Sequence, residues 1–385
     1  MRRLLVLIIA WLCSISLSAQ YEVGKSYFGI NRYVEYIPGD LPIILSSPHA
    51  GDWKPDTLPD VHNRGKDNGT MELTLLLKDS IPEILNGCRP HIIINHLHAS
   101  KFSPVHEKTE AAGNHPWTRQ AWDEFHEYID SAKAKVIRDW GKGHYFELHG
   151  NGHSDAWTEV GLGISKAYLN QGDSAILSRE KNTTVVNLTT NEGVDLLELI
   201  NGKTSLGGML INKGWKSVPS PIFSSPDSGG FFYAGWNTWK HGSYHGGTID
   251  ATHLESYWAF MVRTSNRYKY AGDVAHSIID FMKIHYGLDL DCSVLGQVET
   301  LETLEFAKNE HVRIYPNPSN GEVFIQIKNP QEVNKIDVIN ITGTRVSSIT
   351  NPKSFQHVEI DNGFYFFKVL YQNNKMESRK ILIQH

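Results

Sequence analysis

Gly143-His-Tyr-Phe-Glu-Leu-His-Gly-Asn-Gly-His153 is the stretch on which the fold turns. Tyr145, Phe146 and Leu148 read as a short buried strand, and Gly150 and Gly152 then break it. Side chains two apart on a strand share a face. Glu147 and His149 therefore point the same way where the strand ends. A carboxylate beside an imidazole is not plain core. In open α/β sheets the carboxyl ends of strands are where ligands sit. One such histidine could simply hydrogen-bond a loop, but the rest of the chain repeats the arrangement.

Leu41-Pro-Ile-Ile-Leu-Ser-Ser-Pro-His-Ala-Gly51 is an apolar run of strand length that ends at His49. Asp52 to Lys66 is a polar loop, and Asp67-Asn-Gly-Thr-Met-Glu-Leu-Thr-Leu-Leu-Leu-Lys78 reads as a helix with Asp67 in its first turn. Cys88-Arg-Pro-His-Ile-Ile-Ile-Asn-His-Leu-His98 is a second strand running into histidines, followed by the polar residues Lys101, His106 and Glu107. Residues 111–140 carry a helical period through Trp122, Phe125, Ile129, Ala132 and Val136. Beyond the opening stretch, Trp157–Ser165 reads as a strand and 191–200 as a helix. Ser217–Gly235 is a Pro/Gly/Ser-rich loop long enough to form a lid or a site wall. His241-Gly-Ser-Tyr-His-Gly-Gly-Thr-Ile-Asp-Ala-Thr-His-Leu-Glu255 returns to a strand with His253 and Glu255 on one face, and 273–286 reads as a closing helix. Strands alternating with helices predict an α/β domain, a mixed sheet flanked by helices. After a Glu/Thr-rich linker at 293–309 the character changes. Short alternating strands and the turn signals Asn320-Gly321 and Asn373-Asn374 predict a small all-β sandwich domain over 310–385.

The 385 residues allow two or three domains, and a net charge of -5 without a basic stripe argues against nucleic acid. Arg2 and Arg3, the apolar run Leu4–Cys13 and the small residues up to Ala19 read as a signal peptide, 1–19. That run is too short to span a bilayer, and no other stretch is long and apolar enough for a transmembrane segment. Cys88 and Cys292 remain in the exported chain, as a disulfide or as two unpaired thiols.

Two resemblances add to this. The tail resembles the C-terminal sorting domains of the type IX secretion system, through Ile314-Tyr-Pro-Asn-Pro318, Val338-Ile-Asn-Ile-Thr-Gly343, Gly363-Phe-Tyr-Phe366 and the closing Lys380-Ile-Leu-Ile. It implies type IX secretion machinery as a partner and a secreted or cell-surface location. The domain read at 20–292 resembles N-formylglutamate amidohydrolases, a branch of the zinc exopeptidase-like hydrolases, over roughly residues 40–270. Ser47-Pro-His-Ala-Gly51, Asp67, Glu147-Leu-His-Gly150, Gly202-Lys-Thr-Ser-Leu-Gly207, Pro219-Ser-Pro221, His241-Gly-Ser243 and Ile249–Glu255 carry it, in order. The resemblance implies Zn2+ held by His49, Asp67 and His149, with Glu72 an alternative to Asp67. It implies Glu255 as the proton-transferring catalytic carboxylate. Glu147, on the face of His149, would orient a ligand from behind.

Where that family carries Asp-x-Asn-Arg to grip a substrate carboxylate, this chain has Ser103-Pro-Val-His106. Lys101 and His106 are the cations left nearby, and lysine cannot reproduce the bidentate grip of arginine. His241 is a further candidate for the substrate carbonyl. The expected activity is a secreted zinc-dependent amidohydrolase acting on a small-molecule or peptide amide. The competing readings are a non-catalytic ligand-binding protein on the same scaffold and a peptidoglycan or peptide amidase.

Overall fold

The computed structural model describes residues 21–291, 312–315, 322–373 and 375–383. The expected signal peptide, the expected linker and Cys292 lie outside the described residues. Cys88 is disulfide-bonded. The chain divides into two units, Met1–Ser293 and Val294–His385.

The first unit is built on an eight-stranded mixed sheet of order β1-β2-β4-β3-β5-β8-β6-β7. The strands are β1 (Tyr27–Phe28), β2 (Val34–Ile37), β3 (Ile43–Ser47), β4 (His91–Asn95), β5 (Gly143–Asn151), β6 (Thr158–Gly161), β7 (Ser217–Val218) and β8 (Ile249–Tyr257). The central strands β4, β3, β5 and β8 run parallel, while β2 and β6 join them antiparallel. The central strands are buried along their whole length apart from Gly150 and Tyr257. Near-continuous burial is expected where helices cover both faces of a parallel sheet.

Alternation along β5 sorts its side chains. Tyr145 joins Ile44, Ala251 and the helix residues Phe125, Ile129, Ala132 and Val136 in one apolar cluster. Phe146 turns to the other face and meets Phe281 with ring centroids 6.3 Å apart. The long helix Pro116–Trp140 thus covers one face, and Thr264–Tyr286, packed with Thr70–Ile84, covers the other.

Several boundaries differ from the sequence reading. The first helix begins at Thr70, with Gly69 as N-cap and Glu72 in the first turn. Asp67 sits before it in a turn, where its N–H donates to the His49 carbonyl (3.1 Å) and its carbonyl accepts from Thr70 N–H (3.2 Å). The helical stretch of 111–140 is two helices, Lys108–Ala112 and Pro116–Trp140. Pro116 lacks the N–H that would continue a helix from before it, and is suited to open one. The helix expected at 191–200 is Leu196–Asn201, capped by Asp195, which accepts from Leu197 N–H (2.9 Å). The closing helix starts earlier than expected, at Thr264.

The second unit has two antiparallel sheets, β13-β10-β9 and β12-β11-β14-β15. Their strands are β9 (Val312–Tyr315), β10 (Glu322–Ile327), β11 (Val333–Asn340), β12 (Arg345–Thr350), β13 (Phe355–Glu359), β14 (Gly363–Tyr371) and β15 (Met376–Ile383). Both sheets contribute to one apolar cluster, with Val323, Ile325, Val338, Phe367 and Ile381 inside. The sequence pattern marks four of these strands; β12 and β13 are more polar, and β9 is only four residues long.

Three histidines of the first unit are buried with neutral partners. His91 Nδ1 meets Tyr36 OH (2.8 Å), His126 Nδ1 meets His241 Nε2 (2.9 Å), and His144 lies between Tyr286 OH (2.9 Å) and Thr252 Oγ1 (2.7 Å). Burial lowers the pKa of His91 and His144 to about 3 and of His126 to about 2. The unfolded imidazole takes its proton near pH 6.5, whereas the folded one refuses it until far lower. Stability is therefore lost as pH falls below about 6.5, by about 1.4 kcal/mol per pH unit for each such histidine. His144→Gln should flatten the stability-against-pH slope between pH 6 and 4 by about one proton, measured by urea unfolding. Equal slopes would refute the assignment.

Candidate functional site

The register of β5 against β8 places Glu147 beside His253 and His149 beside Glu255. Acid and imidazole thus alternate along each strand and across the pair. His253 Nδ1 lies 3.1 Å from Glu147 Oε2, and its Nε2 lies 3.1 Å from Glu255 Oε1. Asn237 Nδ2 donates to Glu147 Oε1 (2.6 Å). Glu147 is wholly buried, and Gly235 approaches it so closely that a Cβ there would collide with Oε2.

Two loops complete the site. His49 follows the end of β3, and the loop from it returns to Asp67. Asp67 Oδ2 lies 2.8 Å from His149 Nδ1 and 3.5 Å from His49 Nδ1. The remaining imidazole nitrogens face away: His49 Nε2 meets Ser103 Oγ (2.8 Å), and His149 Nε2 lies 3.7 Å from Glu147 Oε2. The donor atoms of His49, Asp67 and His149 lie within 4.8 Å of one another. All three residues line a cavity of about 560 Å³, with Glu255, His253, Arg64, His106, His153, Phe232 and Trp236 among its other walls.

Burial opposes charge on Asp67, yet hydrogen bonds from His149 and His49 outweigh it and hold the carboxyl well below the usual range. Glu147 is held low in the same way by His149 and His253. The reciprocal effect lifts His149 well above the ordinary imidazole value, against its burial. His253 is raised by Glu147 and Glu255, again against burial.

Two nitrogens and one carboxylate converging on one point, with the far nitrogen of His49 held by Ser103, is a donor set that suits a divalent cation such as zinc. A second group, Glu147, His149 and His253, is equally compact. Its carboxylate is engaged by Asn237 and His253 and does not line the cavity, so the first group fits a metal better. Glu72 is exposed and away from the cavity, which favours Asp67.

Of the residues singled out from sequence, His49, Asp67, His149, Glu255 and His106 line one cavity, and Glu147 sits behind His149. Lys101 and His241 do not line it. Lys101 Nζ donates to the Leu58 carbonyl (2.7 Å) and pairs with Asp60. His241 is buried between His126 and Asp130. The structure adds His253, whose spacing from Glu255 was visible in the sequence, and Arg64, whose loop carried no signal. Arg64 has no carboxylate within ion-pair reach among the described residues. The Pro/Gly/Ser-rich loop forms a wall through Phe232, Ala234 and Gly235.

Residues 313–384 match the secretion system C-terminal sorting domain. No curated protein sequence matches the chain. Among solved structures, N-formylglutamate amidohydrolase from Ralstonia eutropha JMP134 is similar over 66% of this chain and 99% of its own, at 11% identity and a TM-score of 0.41. A gene product of Agrobacterium tumefaciens is similar over 65% of this chain and 95% of its own, at 10% identity and a TM-score of 0.40. The sorting-domain resemblance drawn from sequence recurs here. Among the described residues no helix is long and apolar enough to cross a membrane.

Gly235→Ala should cost roughly 1–3 kcal/mol of stability by driving a methyl into Glu147. Gly152→Ala, which meets open space, should be close to neutral. Chemical denaturation of the two variants checks this; equal stability would mean that the Glu147 contact yields freely.

Proposed function

We propose that the chain is an exported metal-dependent hydrolase that cleaves an amide C–N bond. The observation that carries this reading is the convergence of His49 Nδ1, His149 Nδ1 and Asp67 Oδ2 on the wall of the cavity that also holds Glu255. A zinc ion bound there would polarise a carbonyl and acidify water. The protein's own groups do the rest. Ser103 holds the His49 imidazole from behind, and Glu147 lies 3.7 Å from the far nitrogen of His149. Glu255 has Oε1 held by His253, while its Oε2 is buried with no hydrogen-bond partner among the described residues. That oxygen is free to take a proton from water.

On the same wall, Arg64 and His106 supply donors for a carboxylate on the substrate. His106 Nδ1 faces Glu110 (3.2 Å), and its buried Nε2 has no partner among the described residues. Arginine offers the bidentate fork that Lys101 would lack. The substrate class is then an amide bearing an acid group, small molecule or peptide. The sorting-domain match supports export by type IX secretion machinery to the cell surface or beyond, with residues 20–292 as the catalytic part and 293–309 as the linker to the tail.

Elemental analysis should find about one zinc per chain, lost in His149→Ala and Asp67→Ala and kept in Glu72→Ala. Glu255→Gln should keep the metal and lose hydrolysis of N-acyl amino acids by about 10²–10⁴-fold. Arg64→Gln should raise KM roughly tenfold or more, with kcat little changed. A protein that takes up no zinc at neutral pH would overturn the hydrolase reading and leave a ligand-binding module.

A further inference from the structure

The cavity wall carries a second imidazole–carboxylate pair that the scheme above does not use. His153 closes the glycine-rich stretch after β5, and its Nδ1 lies 2.6 Å from Glu159 Oε1. Glu159 is wholly buried on β6, and its other oxygen accepts from Phe232 N–H (2.7 Å), so the carboxylate cannot turn away. The imidazole is clamped as well. It stacks on Phe232 with centroids 4.9 Å apart and planes at 28°. Gly230 lies against it so closely that any side chain there would collide with the ring. Such rigidity is more than a loop contact needs. His153 nevertheless keeps 30% of its side chain exposed and lines the same cavity as Glu255. Its Nε2 has no partner among the described residues. Glu159 lies directly across from Glu255 in the β6–β8 register, so both acid groups are fixed to one rigid sheet.

Resting on the hydrolase reading, we propose that His153, held by Glu159, is the acid that protonates the leaving nitrogen. Glu255 accepts a proton as the water oxygen bonds to the carbonyl carbon. The C–N bond then breaks with its electron pair going to nitrogen, and that nitrogen takes the Nε2 proton of His153. Solvent reprotonates the imidazole through its exposed edge, and Glu255 returns its proton to solvent. Two groups divide the work, so Glu255 need not carry one proton from the water to the far side of the scissile bond. Burial pushes the Glu159 carboxyl up to about 7, against the hydrogen bond to His153 that lowers it.

The test compares two probes of one shape, 4-acetamidobenzoate and 4-acetoxybenzoate. The phenolate of the ester departs without a proton, whereas the amide nitrogen must receive one. His153→Gln should lower kcat on the amide by about 10²-fold or more, with little change on the ester and unchanged zinc content. Glu159→Gln should give the same selectivity more weakly. In zinc-free protein it should also abolish the downfield position of the His153 Nδ1 proton in imidazole NMR. Loss of equal size on both probes, or no loss on either, overturns the proposal while the hydrolase reading stands. A zinc-loaded wild type inert toward both probes and toward N-acyl amino acids overturns both together.

Discussion

The parallel pairing of β5 with β8 is the constraint from which the site follows. It sets Glu147 against His253 and His149 against Glu255. Four ionisable side chains in a dry sheet interior would be prohibitive if like charges met. Within the β5–β8 pair the register sets each of the four directly across from one of opposite kind, and Glu159 on β6 is the like neighbour across from Glu255. Shifting β8 by one residue would turn all its side chains to the other face. Glu255 would then point at the helix layer, and Glu147 would lose His253 and keep only Asn237 and His149 beside it.

Sequence made much of this visible because strand alternation is a local rule. Glu147 with His149, and His253 with Glu255, could be assigned to shared faces without knowing what they faced. Their position at strand ends followed from the glycines and prolines that stop the runs. What stayed hidden depends on contacts between distant segments. Asp67 reads as a helix opener on spacing, yet left-handed Gly69 intervenes and the His49 carbonyl pins the turn. Lys101 and His241 have the right chemistry for the site and are claimed by Asp60 and Asp130 instead. Arg64 sits in a polar loop whose path only the closed fold defines. In the tail, the strong apolar alternation of β14 was legible, whereas the more polar β12 was not.

Histidine takes opposite roles in this molecule according to its partner. His91 and His144 meet hydroxyls and are held neutral by burial. His149 and His253, just as deeply placed, meet carboxylates and are raised. Burial is common to both classes, so the neighbour decides. The neutral set lies in the core layers and makes the fold acid-sensitive. The raised pair lines the cavity.

The alternating array has one more consequence. Glu147, His149, His253 and Glu255 touch one another in sequence, so no proton leaves one of them without changing the field on the next. Their titration belongs to the group. An inflection in a pH–rate curve would mark a change in the total number of protons held by the cluster, and different probes would assign it to different members. Replacing any one of the four would move the inflections of the other three. A shifted inflection is therefore a signature of membership in the array, and the identity of the group that transfers a proton has to come from which bond it acts on.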